Sequence, residues 1–394
     1  MRIDSVDIFY LALPEVLDIG DGSQDMALVR VRADGGATGW GECEASPLPT
    51  IAALVTPASH SACRNVEESV VGQRLDGPDD IARIARTVGE RSLDLLQAAH
   101  TWSGIEIALW DLLGRAREVP VHELLGQGAP VRKTPYASQL FGDTPQQTLE
   151  KARASAAAGY RAVKMGWGPY GRGTVAEDAD HVHAAREGLG PDGILLVDAG
   201  TVWGDDVDAA AARLPALREA RALWLEEPFV SGALSSYAAL ARLSGDIGLA
   251  AGEGAHEASM ARHLVDHGGV RFVQIDTGRI GGIGPAAEVA RYAAGCGVRY
   301  VNHTFTSHLA LSASLQPYAG SVEDTICEYP VELSALARSL VREPIARDAD
   351  GLVSAPDAPG LGVELDLDAV RGYLQDVEIA VGGRTLYRTP DLVP

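Results

Sequence analysis

The sequence predicts a parallel β/α barrel joined to a smaller α+β module, and three observations carry that expectation. Six short apolar runs each close on an acid or a base: residues 194–197 on Asp198, 222–225 on Glu226, 248–252 on Glu253, 272–275 on Asp276, 298–302 on His303 and 326–327 on Glu328. The intervals between these endings are 28, 27, 23, 27 and 25 residues, about the length of one strand, one loop and one amphipathic helix. The first third of the chain has a different texture, with alternating segments followed by helical periodicity. A parallel barrel opens the C-terminal ends of all its strands at one mouth. The charged endings, far apart in sequence, are therefore expected to meet in space.

Along the chain, residues 1–10 read as a strand. Residues 26–32 and 37–42 flank Ala33-Asp34-Gly35-Gly36, an Asp-Gly turn that predicts a β-hairpin. From about 79 to 119 the period is helical, and Ile105, Ala108, Leu109, Leu112 and Leu113 mark one apolar face of a helix ending near residues 114–117. Pro120 is a stop signal, and Leu124-Leu125-Gly126-Gln127-Gly128 turns the chain into the next unit. Strand–helix alternation then runs from about Thr134 to Tyr329. After it come a loop at 355–360 and a tail at 383–387 that looks like edge-strand material returning to the first module. The expected division is a capping module of residues 1–127, completed by 356–394, and a barrel of residues 128–355.

Composition narrows the function. The formal net charge of −21 in 394 residues excludes a basic nucleic-acid-binding face and requires a local cation for any anionic substrate. The 46% hydrophobic content supports a large core. Cys43, Cys63, Cys296 and Cys327 lack CxxC spacing, so neither a zinc knuckle nor a disulfide framework is indicated. No apolar run approaches the roughly 18–20 residues that span a bilayer, and residues 1–10 carry no secretory pattern. The expectation is a cytoplasmic protein without membrane or nucleic-acid partners.

Asp198, Glu226 and Glu253 end three consecutive strands, where unneutralised carboxylates would repel one another. All-oxygen ligation with room for water or substrate suits Mg²⁺, so the trio is the candidate metal site. Glu226 is favoured over Glu227 because it closes the apolar run and strand alternation points only one of the pair inward. Lys164 ends the strand before Asp198 and serves either as a base of depressed pKa or as a cation gripping a substrate carboxylate. Asp276 and His303 end the next two strands after the trio, the pattern of an imidazole whose tautomer a carboxylate fixes. His308 is a runner-up where a helix begins. Glu328, on the last strand, is a candidate acid for a developing oxyanion.

These residues resemble the enolase superfamily, specifically its mandelate racemase subgroup, over nearly the whole chain. Gly39-Trp40-Gly41-Glu42 is similar to the family's first-module strand. Ile107-Ala108-Leu109-Trp110-Asp111-Leu112-Leu113-Gly114 and Pro120-Val121-His122-Glu123-Leu124-Leu125-Gly126 resemble the helix and linker before the barrel. Val197-Asp198-Ala199, Leu225-Glu226-Glu227-Pro228, Gly252-Glu253, Ile275-Asp276 and Arg279-Ile280-Gly281-Gly282 follow in the family's order. The resemblance implies a (β/α)7β TIM-like barrel capped by an α+β domain made from both chain ends. It also implies Mg²⁺ on Asp198, Glu226 and Glu253, a His303–Asp276 dyad, Glu328 as an electrophilic acid, and a homo-oligomer, octamer or dimer.

Two departures shape the expected reaction. Many relatives carry Lys-x-Lys where this chain has Lys164-Met165-Gly166, so the second lysine is replaced by a residue with no side chain. Gly200 stands where relatives often have asparagine. With one clearly armed face, His303 is expected to remove the proton α to a carboxylate and then protonate the departing β-hydroxyl. That is a Mg²⁺-dependent acid-sugar dehydratase, a carbon–oxygen lyase acting on an aldonate or aldarate. The alternative is an epimerase, racemase or cycloisomerase with Lys164 as base. A binding barrel without catalysis is opposed by the complete set of strand-end residues. Specificity is expected from capping loops, including residues 18–25 and the stretch after Glu44, reaching over the mouth.

Overall fold

A computed structural model describes residues 1–393. A three-stranded antiparallel sheet opens the chain: β1 (Ile3–Ala12), β2 (Asp25–Ala33) and β3 (Thr38–Cys43). The β2–β3 connection is the hairpin that Asp34-Gly35-Gly36 predicts, with Gly35 and Gly36 both at positive φ. Eight strands then build the barrel sheet: β4 (Thr134–Leu140), β5 (Ala162–Gly166), β6 (Ile194–Asp198), β7 (Ala222–Glu226), β8 (Gly248–Ala251), β9 (Phe272–Asp276), β10 (Arg299–His303) and β11 (Ile326–Pro330). From β4 to β10 each strand pairs in parallel with its sequence neighbour, and β11 pairs in parallel with β4, leaving a seam between β10 and β11. Helical segments fill all seven connections, so the architecture is a (β/α)7β barrel with an α+β cap.

The two-residue period of a strand explains the mouth. Tyr136, Ala162, Leu196, Trp224, Val301 and Ile326 form one buried layer inside the barrel. Two residues further along the same strands stand Ser138, Lys164, Asp198, Glu226, His303 and Glu328, all on that inner face. Glu253 lies beyond the end of β8, after Gly252 at φ 134, a left-handed turn that re-aims the chain. The seam between β10 and β11 is closed by a side chain. Asn302 Oδ1 accepts from the Glu328 amide at 2.9 Å and from the Tyr318 hydroxyl at 2.7 Å.

The cap meets the barrel through the helix Ala98–Arg117. The periodicity predicts one apolar face, but the helix is buried over nearly its whole circumference from Ala98 to Gly114. It is enclosed because β3 lies directly on it: a Cβ at Gly41 would overlap the Gly104 carbonyl, and one at Gly39 the Ala108 carbonyl. On another side Glu106 reaches the N-terminus of the helix Ile283–Gly295, accepting from the Ile283 amide at 2.7 Å and the Gly284 amide at 2.9 Å. The Gly281-Gly282 pair admits that carboxylate, since a Cβ at Gly282 would overlap it.

The tail differs from the edge strand that the sequence predicts. β12 (Glu378–Val381) and β13 (Arg384–Arg388) pair with each other around Gly382-Gly383, both at positive φ, and so satisfy their own ladder. The tail still returns to the cap. Gln375 N donates to the Tyr10 carbonyl at 2.8 Å, and the Tyr387 hydroxyl donates to the Ile8 carbonyl.

The close approach of β3 to its helix yields a stability prediction. Gly41→Ala should cost about 1–3 kcal/mol or more through overpacking, lowering the calorimetric unfolding temperature. An unchanged transition would show that the two backbones do not pack as described.

Candidate active site

Lys164, in the middle of β5, is buried among acids. Its Nζ lies 2.6 Å from Glu226 Oε1, 2.9 Å from Glu328 Oε1 and 3.7 Å from Asp198 Oδ2. Burial alone would lower its pKa, but Glu226 and Glu328 outweigh that and hold it well above the usual lysine value. This ring of acids favours the ammonium form of Lys164. Burial pushes Asp198 up to about 6, with Lys164 opposing and Glu253 adding to the rise. Burial likewise pushes Glu226 up to about 8, against Lys164 and with Asp198.

His303 occupies the other side of Glu328. Its Nδ1 lies 2.8 Å from Asp276 Oδ2, its Nε2 3.0 Å from Glu253 Oε2 and 4.0 Å from Glu328 Oε2. Burial would depress the imidazole, yet Glu253, Glu328 and Asp276 together raise it well above its ordinary value. The same contact, joined by Arg279, outweighs burial at Glu253 and holds that carboxyl below its ordinary value. Asp276 is fixed by the Gly278 amide at 2.6 Å. His308 is excluded from the mouth: it opens the helix His308–Leu315, accepts from the Ile345 amide at 3.0 Å, and burial drives its pKa down to about 4.

Glu328 is saturated as an acceptor. Ser138 Oγ at 2.7 Å, the Thr304 amide at 2.6 Å and Lys164 all donate to it. These contacts fix Glu328 between Ser138, the Thr304 amide and the Lys164 ammonium.

Sequence reasoning missed Glu44 and gave Arg279 no role. Glu44 follows β3 and reaches from the cap into the mouth, where it pairs with Arg279 and lies 3.8 Å from His303 Nδ1. Arg279 Nη1 also lies 3.3 Å from Glu253 Oε1. Glu44, Asp276 and His303 bring ligating atoms within 4.8 Å of one another, but the Arg279 pair and the His303–Asp276 hydrogen bond already engage that group. The signal for Glu44 was its place three residues beyond Gly41 in the cap motif, and it needed the third dimension. Glu227, at φ 38, is buried in the same mouth with Oε1 unpartnered among the described residues. Asp198, Glu226 and Glu253 lie in the same mouth but, among the described residues, do not bring their oxygens within the 4.8 Å spacing of the Glu44, Asp276 and His303 group; the excess of carboxylates over cations there suits a hard divalent ion such as Mg²⁺.

Trp167 accounts for the glycine at residue 200. Its indole packs between Gly20 of the cap and Gly200, where Cβ atoms would lie 2.9 Å from its Cγ and 2.8 Å from its Cε2. A Cβ at Gly166 would stand 2.8 Å from Asp198 Oδ2, so a side chain there would crowd that carboxylate. Ile19, Gly20, Asp21 and Gly22, with Glu44 and Ala45, close over a cavity of about 240 Å³ that holds Lys164, Asp198, Glu253 and His303 in its wall. These are the capping loops expected to reach over the mouth.

The family model for the mandelate racemase / muconate lactonizing enzyme N-terminal domain matches residues 13–126, and that described as enolase C-terminal domain-like matches residues 147–369. The chain belongs to the mandelate racemase/muconate lactonizing enzyme family of the enolase superfamily. It is similar to a crystal structure of a predicted mandelate racemase from Rhodobacter sphaeroides, at a TM-score of 0.94 and 61% identity over 99% of this chain and 100% of that one. The D-galactarolactone cycloisomerase of Agrobacterium fabrum is 29% identical over 364 residues, 88% of this chain and 90% of its own. The D-galactonate dehydratase of Ralstonia pickettii is 28% identical over 352 residues, 86% and 88% respectively. No helix among the described residues is long and apolar enough to cross a membrane.

The Trp167 clamp is testable by a double substitution. Gly200→Ala should cost about 1–3 kcal/mol, from strain at its φ of 54 and the clash with the indole. Adding Trp167→Ala should recover the steric part in thermal unfolding, and equal losses with and without the indole would refute the clamp.

Proposed function

We propose that the protein is a Mg²⁺-dependent dehydratase of acid sugars, removing the proton α to a carboxylate and expelling the β-hydroxyl to give a 2-keto-3-deoxy acid. The observation that carries this reading is one positioned imidazole, His303 on Asp276, in a mouth where Gly166 supplies no second base. Asp198, Glu226 and Glu253 would hold the Mg²⁺, which supplies charge neutralisation for the substrate carboxylate.

The protein's own groups supply the proton chemistry. With Nδ1–H held on Asp276, and with Glu253 engaged by the metal instead of by the imidazole, Nε2 of His303 would be the neutral base that accepts the α-proton. The resulting imidazolium returns a proton to the β-oxygen as the C–O bond breaks, so water leaves and the enol tautomerises to the keto acid. Lys164 remains an ammonium and stabilises the enediolate, with Glu328 and Ser138 fixing its position. The cap loops around Asp21 exclude water during this sequence.

A second reading is cycloisomerisation, in which the departing β-oxygen belongs to a ring or lactone and stays attached to the product. The similarity to D-galactarolactone cycloisomerase favours keeping it. His303 serves both. Incubation with Mg²⁺ and a panel of aldonates, aldarates and their lactones, read by semicarbazide for 2-keto acids and by mass, separates them. Loss of 18 mass units per turnover is the dehydratase outcome, and a keto acid at unchanged mass is the cycloisomerase outcome. A homo-oligomer belongs to the same proposal, and a monomer by sedimentation at micromolar concentration would remove it.

Replacing Glu226 or Glu253 with Gln should weaken Mg²⁺ at least tenfold by calorimetry and abolish turnover, on the scale of losing one charged ligand. Glu227→Gln should be milder, and a larger metal loss at Glu227 would move the ligand assignment to it. In D₂O the α-proton of a substrate should exchange from one face only, and His303→Asn should eliminate that exchange. Asp276→Asn should slow it about 10²–10⁴-fold while Mg²⁺ affinity holds. Exchange surviving in His303→Asn and lost in Lys164→Ala would make Lys164 the base.

A further inference from the structure

We infer that the substrate carries a single carboxylate, its far end being neutral hydroxyl or ring oxygen, so that aldonates and their anhydro or lactone forms are accepted and aldarates rejected. This rests on the acid-sugar reading above and narrows it. Any acid sugar must place one carboxylate beside Lys164. A dicarboxylate would need a second cation in the same cavity, and the lining supplies no free one.

The permanent cations in the cavity wall are Lys164 and Arg279. Lys164 is engaged by Glu226 at 2.6 Å and Glu328 at 2.9 Å, deep in the barrel. Arg279 is engaged by Glu44 and, at 3.3 Å, by Glu253. His303 spends both ring nitrogens on Asp276 and Glu253. The rest of the wall toward the cap is Ile19, Leu140, Trp167 and Phe305, with Asp21 as its charged member. Asp21 is held in the loop by the Ser23 amide at 2.8 Å and the Ser23 hydroxyl at 2.6 Å, both on Oδ1.

A carboxylate at this end would face Asp21 and Glu44 with no counter-charge, and like charges in a partly desolvated cavity repel. A hydroxyl there is a donor, which a carboxylate accepts. The exposed face of Trp167 offers an apolar surface to sugar carbons. Glu44 is thus the residue that keeps Arg279 from serving as a second carboxylate clamp.

The test compares galactonate with galactarate, gluconate with glucarate, and mannonate with mannarate. Binding is measured by calorimetry on the Mg²⁺-loaded His303→Asn protein, where turnover is removed, and turnover on the wild type. In the best-binding configuration the aldonate should bind more tightly than its aldarate by about tenfold or more, equivalent to about 1.4 kcal/mol. Glu44→Gln, which removes one of the two carboxylate charges on Arg279, and Asp21→Asn should each narrow that ratio about threefold or more. An aldarate that binds as tightly as its aldonate, or more tightly, overturns the inference and leaves the acid-sugar reading standing. A protein that takes up Mg²⁺ yet binds neither member of any pair overturns both.

Discussion

Lys164 sits between Glu226 and Glu328 in a mouth where nearly every barrel strand ends in a charge, and the rest of the site depends on that compensation. Removing one partner from a buried ion pair costs about 3–5 kcal/mol, because the other charge is left without water or counter-ion. Asp198, Glu226, Glu227, Glu253, Asp276, Glu328 and Glu44 converge here on Lys164, Arg279 and His303. Acids exceed bases, and the surplus is what makes the mouth a place for a divalent cation. The same surplus makes a protein of strongly negative net charge able to handle an anion only at one prepared point.

The cap and barrel are joined by buried carboxylates rather than by apolar contact alone. Glu106 seats on the amides at the start of the helix Ile283–Gly295, where the helix dipole favours negative charge. Burial pushes Glu106 up to about 7, against the donors Trp110, Gly284 and Ile283. Glu42, at the end of β3, accepts from Ser307, whose hydroxyl in turn accepts from the Leu309 amide as the N-cap of the helix after β10. Ser334, beyond β11, donates its amide to Ser23 Oγ at 2.8 Å and so ties down the loop that carries Asp21. The cap residues at the mouth are therefore held by the barrel elements that carry Arg279 and His303.

Much of this was legible in the chain. The apolar runs gave the strand positions because each strand buries one face in the barrel, and a two-residue period then delivers Lys164, Asp198, Glu226, His303 and Glu328 to a common layer. His308 was separable from His303 because it falls at the start of a helix. The helix Ala98–Arg117 was underestimated: its Gly104 and polar Glu106 and Asp111 obscure a segment buried on every side, since they make room for β3 and bond to other elements. The tail reaches the cap, but its strand partner was not legible, because Gly382-Gly383 gives it a hairpin of its own.

What the sequence by itself determined is the barrel, the order of its charged strand ends and the absence of a second lysine at residue 166. These follow from local periodicity and residue type. What only the tertiary structure decided is which charges touch. Glu44 lies 235 residues from Arg279 and pairs with it across the two domains, and Trp167 fills the space that Gly20 and Gly200 leave for it. Such contacts depend on how the cap and the barrel are set against each other, and no spacing along one strand or helix encodes that distance.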